Sequence, residues 1–176
     1  MSRRAVQISV IGSSEGEPEL LRDAEQVGRG LAEAGATLVC GGLTGVMEAA
    51  SRGAAEAGGT VVGVLPTLET ADANQHVSFA VATGIGHARN LAVVASGDAV
   101  IAVGGEWGTL SEIAFARKLG KPVISLESWP LRDRAGTDLG IAEAKTPADA
   151  VKAALSSAVT EEGSPERTEA ADDTLG

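Results

Sequence analysis

Four apolar, β-branched runs in this chain each end in glycine, and each glycine cluster opens a segment with helical spacing. Val6-Gln7-Ile8-Ser9-Val10-Ile11 breaks at Gly12-Ser13-Ser14, and Thr37-Leu38-Val39-Cys40 at Gly41-Gly42-Leu43-Thr44-Gly45. A run from His76 to Ala82 breaks at Thr83-Gly84-Ile85-Gly86. Ala99-Val100-Ile101-Ala102-Val103 breaks at Gly104-Gly105-Glu106-Trp107-Gly108. Strands that alternate with helices of roughly 10–15 residues build βαβ units, and these close into a mostly parallel sheet covered on both faces. The expected fold class is a Rossmann-like α/β domain of six or seven strands.

The remaining punctuation agrees. Pro18 suits a first helical turn, and Leu20, Leu21, Ala24, Val27, Leu31 and Ala34 recur at helical spacing up to Gly35. The spacing predicts further helices over 46–57, 87–95, 109–119 and 147–157. It predicts strands over 60–65 and 122–126, with a short one near 139–142, and loops over 66–76 and 127–137. The domain is expected to span 1–158. An acidic tail over 159–176 lacks periodicity and reads as disordered.

Composition narrows the function. The chain carries 23 glycines in 176 residues, about twice the usual share, and with no collagen-like period the excess is expected to serve turns. The net charge is −10, half of it in residues 160–176, where six acids meet one base. The body carries the other half, which repels a polyanion and argues against nucleic acid as a partner. No apolar run approaches the roughly 20 residues of a membrane span, and the start runs into a strand without a signal-peptide pattern. A cytoplasmic protein is expected. The lone Cys40 excludes an internal disulfide and reads as a core residue, and having only two histidines, His76 and His87, argues against a zinc site. No metal is expected.

In open α/β sheets ligands bind beyond the carboxyl ends of the strands, which is where the glycines concentrate. Glycine lets the backbone approach an anion, and a helix N-terminus offers free N–H groups and a favourable dipole. Four such turns on one edge point to a phosphate-bearing small molecule. Its candidate contacts are Gly12, Ser13, Gly41, Gly42, Gly45, Asn90, Gly104, Gly105, Gly108 and Thr109. Gly-x-Gly-x-x-Gly after the first strand and the P-loop pattern are both absent. Gly12-Ser13-Ser14-Glu15-Gly16 fits a nucleophile elbow, with Asp72 and then His76 or His87 downstream, but no oxyanion loop precedes it. A phosphate-binding turn is the preferred reading of those serines.

Two stretches are more specific, Thr83-Gly84-Ile85-Gly86-His87-Ala88-Arg89-Asn90 and Gly104-Gly105-Glu106-Trp107-Gly108-Thr109-Leu110-Ser111-Glu112. With Cys40 to Met47 and Gly63-Val64-Leu65-Pro66, they resemble the Lonely Guy family of Rossmann-like nucleotide-binding proteins over about residues 6–155. The resemblance implies cleavage of the N-glycosidic bond of a nucleoside 5′-monophosphate. Glu112 falls on the family's essential glutamate and Arg89 on its arginine, which makes these two the candidate catalytic residues. Gly108 and Thr109 match its phosphate-binding turn, and a homodimer is implied.

Two departures matter. Gly104-Gly105-Glu106 stands where the family has Pro-Gly-Gly, and Asn90 stands where it has lysine. Both make the anion loop less positive. The Gly-x-Gly-x-Ala-Arg-Asn form looks like a side branch that includes molybdenum-cofactor carrier proteins, which implies holding a phosphorylated pterin without hydrolysis. Enzyme and carrier therefore stay open. Neither needs a cofactor, and the bound molecule is expected to be a nucleotide or a phosphorylated pterin. Thr109-Leu110-Ser111-Glu112 also fits a capping box, which would put Glu112 at a helix start and keep it ionised. His87 is expected at a helix N-terminus without a ligand. Trp107 is expected either to stack on a base or to fill a subunit interface, and Leu91 to Ala95 suit a buried or interface helix.

Overall fold

The computed structural model describes residues 4–161. In chain order the elements are β1 (Gln7–Gly12), α1 (Pro18–Glu33), β2 (Thr37–Cys40), α2 (Val46–Glu56), β3 (Val61–Leu65), β4 (Phe79–Ala82), α3 (Asn90–Ser96), β5 (Ala99–Val103), α4 (Trp107–Lys118), β6 (Val123–Leu126), β7 (Ala142–Ala144) and α5 (Pro147–Glu161). Single 3₁₀ turns occupy Thr70–Asp72 and Gly86–Arg89. The sheet order is β4-β3-β2-β1-β5-β6-β7, and every pairing is parallel. The expected Rossmann-like α/β class is what forms. Among the described residues no helix is long and apolar enough to cross a membrane.

Alternation within each strand divides the core in two. Ile8, Val10, Leu38, Cys40, Ala99, Ile101 and Val103 face α1, α2 and α5. Ile11, Val39, Val100 and Ala102 face α3 and α4. Both faces are therefore dry, as the continuous apolar strands require. The chain winds outward from β1 to β4, then restarts at β5 on the other side of β1. The switch falls between β1 and β5, where two neighbouring strands send their following loops apart and leave a crevice.

Not all the glycine serves turns. Gly28 on α1 and Gly53 on α2 lie where these helices touch backbone to backbone. A Cβ at Gly28 would come within 1.9 Å of the Ala50 carbonyl oxygen, and one at Gly53 within 1.9 Å of that of Glu25. The excess is divided between turns and this close helix crossing.

Several boundaries differ from the spacing, among them the start of α3, which falls at Asn90 because Gly86–Arg89, with His87 in it, forms a 3₁₀ turn instead. β4 begins at Phe79, because the Ser78 hydroxyl accepts the Val61 N–H at 3.1 Å and Val77 N–H turns back to Asn74 O. β7 lies at 142–144, because Asp138 Oδ1 accepts Gly140 N–H at 2.7 Å and holds that stretch in a turn. α5 continues past Ser157 to Glu161. Beyond Glu161 the expected tail lies outside the described residues.

α4 is the correction that bears on function. It starts at Trp107, with extended Glu106 as N-cap and Leu110 N–H donating to Glu106 O at 2.9 Å. Thr109 is thus inside the first turn, and the capping box does not form.

Candidate functional site

A cavity of ≈ 260 Å³ lies at the β1/β5 switch. β1 and its loop supply Val10, Ile11, Gly12, Ser13 and Ser14. The β2–α2 segment supplies Gly41, Leu43 and Met47. His87, Arg89 and Asn90 come from the start of α3, and Glu106, Gly108, Thr109 and Glu112 from α4. Seven of the candidates named from sequence line this space or its rim together with Glu112: Gly12, Ser13, Gly41, Arg89, Asn90, Gly108 and Thr109.

The other four stand behind the lining. Gly42 packs against Leu65 and Gly63. Gly45 has φ +67° and lies against the Ser13 and Ser14 backbone, where a Cβ would meet Ser14 C at 2.3 Å. Val46 N–H then reaches Ser13 O at 3.0 Å, so Gly45 ties the first two loops together. Gly104 packs on Leu20, and Gly105, at φ +134°, lies under the Thr109 side chain. Only glycine adopts such a backbone without strain.

Arg89 and Glu112 form the floor. Arg89 is 7% exposed and Glu112 6%. Arg89 Nη1 lies 3.8 Å from Glu112 Oε1 and donates to Asn90 Oδ1. Nη2 reaches Gly41 O at 3.4 Å. Gly41 has to be glycine for this, because a Cβ there would sit 2.5 Å from Arg89 Nη2 and 2.6 Å from Met47 Sδ. Asn90, the residue in place of the family's lysine, thus serves as an acceptor for Arg89.

Burial decides the protonation of this pair. It pushes the Glu112 carboxyl up to about 7, against the pull of Arg89. The expectation of a carboxylate held ionised by a helix start is corrected, for two reasons. The helix starts at Trp107, which leaves Glu112 beyond the first turn, and the loss of water outweighs one cation at 3.8 Å. Burial likewise lowers the Arg89 guanidinium and raises the Cys40 thiol, which sits fully buried in the core.

Two polar groups of the cavity have no partner among the described residues, Arg89 Nε and Thr109 Oγ1. Buried donors are seldom left open in a folded protein, and these two are free to donate to an acceptor placed in the cavity. The first turn of α4 adds N–H groups without intrahelical partners beside Gly108 and Thr109. Together they form a cradle that suits a phosphate. Glu106, exposed at the rim, opposes it. Ser13 Oγ donates to Glu15 O, so its proton is already engaged.

Leu43, Met47 and His87 line the cavity without having been singled out as contacts. All three lie in the motif stretches quoted from the sequence, but they share one space only because the segment after β2 and the turn before α3 meet at the switch. Ser14 lines it too, but among the described residues no hydrogen bond joins Ser14 to His87 or His76. The His76 ring lies 3.5 Å from Gln75 Nε2.

Similarity to known proteins is consistent along nearly the whole described chain. A protein of Archaeoglobus fulgidus, named only as an uncharacterized protein, is 44% identical over 156 residues, 89% of this chain and 99% of its own. The molybdenum cofactor binding protein of the phototrophic bacterium Rippkaea orientalis is 38% identical, with a TM-score of 0.80 over 88% of this chain and 98% of its own. The molybdenum cofactor carrier protein of Chlamydomonas reinhardtii is 33% identical, with a TM-score of 0.77 over 89% and 99%. The model of the SLOG cluster4 family matches residues 5–161, and the chain belongs to that family.

Proposed function

We propose that this protein binds a phosphorylated small molecule of the pterin class and carries it without cleaving it. The observation that carries this reading is that Arg89 Nε and Thr109 Oγ1, buried in one cavity beside the first turn of α4, have no partner among the described residues. The two solved relatives named for the molybdenum cofactor support the choice of ligand. Phosphate would rest on Gly108, Thr109 and Arg89, with Gly12 and Gly41 keeping side chains out of its way. The other glycines named from sequence, Gly42, Gly45, Gly104 and Gly105, would shape the loops behind. On this reading the protein works in the cytoplasm, has no nucleic acid partner and requires no cofactor. A homodimer would cover part of the apolar surface at Phe79, Val81, Ile85 and Leu91, all more than 40% exposed.

A second reading is favoured by Glu112. A carboxyl that titrates near neutrality suits a general acid. In N-glycosidic hydrolysis of a nucleoside 5′-monophosphate it would give its proton to the departing base, the water that adds to C1′ of the sugar would return a proton to the resulting carboxylate, and Arg89 would hold the phosphate. One experiment separates the two. Freshly purified protein is examined by native mass spectrometry for a co-purifying phosphorylated compound, then incubated with a panel of nucleoside 5′-monophosphates. The carrier reading expects a retained ligand and no free base. Release of base that Glu112→Gln suppresses would replace it with the hydrolase.

A further inference from the structure

The buried polar atoms without partners among the described residues fall into two pairs. Arg89 Nε and Thr109 Oγ1 belong to the cavity, and the other two, Ser128 Oγ and Trp129 Nε1, follow β6. That second pair lies beside an aromatic contact. The rings of Trp107 and Trp129 have centroids 5.6 Å apart and planes inclined by 36°. Trp129 is half-buried, whereas Trp107 is 77% exposed. Trp107 stands between Glu106 and Gly108, which both line the cavity, so its Cα is about 3.8 Å from each of theirs.

We infer that Trp107, backed by Trp129, is the platform on which the flat fused ring of the ligand stacks, and that it selects ring-bearing over ring-less phosphates. This rests on the proposed function and names how the same site recognises its ligand. The Trp107 ring itself stands outside the cavity lining, but its backbone joins two residues of that lining, and an indole left in water offers a broad π-face. Phosphate on the first turn of α4 and a ring on Trp107 are one residue apart, within reach of a sugar-sized linker. The edge of a nitrogen heterocycle carries both acceptors and donors. It can complete Trp129 Nε1–H and Ser128 Oγ once the exposed indole turns to admit it.

The chain contains two tryptophans and no tyrosine, so intrinsic emission reports on this pair alone. Guanosine 5′-monophosphate and ribose 5-phosphate are titrated into the full chain, with emission and calorimetry read together. The nucleotide is expected to quench emission and bind about tenfold tighter than the sugar phosphate, the usual scale of one stacked base. Trp107→Leu should erase that ratio, and Trp107→Phe should restore part of it. Several results would overturn the inference: a ratio that Trp107→Leu leaves intact, nucleotide binding with unchanged emission, or a Trp107→Leu protein that sediments as a smaller species. The last would make the indole a subunit contact. Ribose 5-phosphate binding with no nucleotide preference overturns the platform alone. Failure of both probes to bind overturns the proposed function with it.

Discussion

Arg89 and Glu112 face each other across 3.8 Å with both side chains more than nine-tenths buried, yet the hydrogen bond of Arg89 Nη1 goes to Asn90. The two charges are near enough to attract and too poorly joined to offset their loss of water. A buried pair of this kind adds little stability as an ion pair. Its value lies in leaving a cation beside a carboxyl that changes charge near neutral pH.

The pair makes stability depend on pH in a stated direction. Glu112 keeps its proton up to about pH 7 in the folded chain, against an ordinary value of 4.5. Between those values the folded state binds more protons than the unfolded one. The contribution of this group is therefore full below about 4.5 and is lost as pH rises through 7. Glu112→Gln, which imitates the protonated form, is expected to raise stability at pH 8 by up to about 3 kcal/mol and to change little at pH 4.5. Urea unfolding at the two pH values checks this, and an equal effect at both would remove the basis for the shift.

Ligand binding should take up a proton. A phosphate settling beside Arg89 repels an ionised Glu112 and favours its neutral form. Calorimetry of guanosine 5′-monophosphate near pH 7, in buffers of different ionisation enthalpy, is expected to show uptake that Glu112→Gln diminishes. His87 and Glu106 also line the cavity, so the difference between wild type and variant is the quantity to read. Identical uptake in both would clear Glu112 of the role.

Gly41→Ala should separate binding from folding. The added methyl group meets the ends of two flexible side chains, Arg89 and Met47, which can shift at a cost of roughly 1–3 kcal/mol. The guanidinium would leave its place over Gly41 O, and phosphate affinity is expected to fall about tenfold or more, the order of one lost charge-assisted hydrogen bond. A variant that binds as well as wild type would show that Arg89 does not hold the anion.

Gly28→Ala should do the reverse. Its methyl group meets the Ala50 carbonyl at 1.9 Å, and backbone on a packed helix cannot yield as a side-chain end does. A loss of about 3 kcal/mol or more is expected, read as a melting temperature lowered by at least several degrees. Near-wild-type melting would mean that α1 and α2 can separate freely.

Glu106→Gln should tighten phosphate binding. Glu106 lies at the rim and its side chain caps no N–H group, so the change removes a repulsion without removing a cap. Because the group is exposed, the gain is expected to be only a few-fold at low salt and to fade as ionic strength rises. A gain that does not respond to salt would point to a rearranged loop.

Much of this molecule was legible in its residues taken in order. β-branched runs ending in glycine are local patterns, so the strands, the helices, the parallel sheet and the crowded carboxyl edge followed from them. Arg89, Glu112, Gly108 and Thr109 were legible as a group through motif resemblance. The tertiary structure alone decided what depends on distant neighbours. Gly28 and Gly53 look like any helix-weakening glycines until α1 and α2 are seen in contact. Thr109 and Glu112 spell a capping box, yet Glu106 caps the helix three residues earlier through its carbonyl bond to Leu110. The charge of Glu112 could not be read from its position in the chain, because desolvation is set by everything packed around a group. For the same reason the place of Met47 and His87 in the cavity wall, and the pairing of Trp107 with Trp129, emerged only once segments far apart in sequence lay side by side.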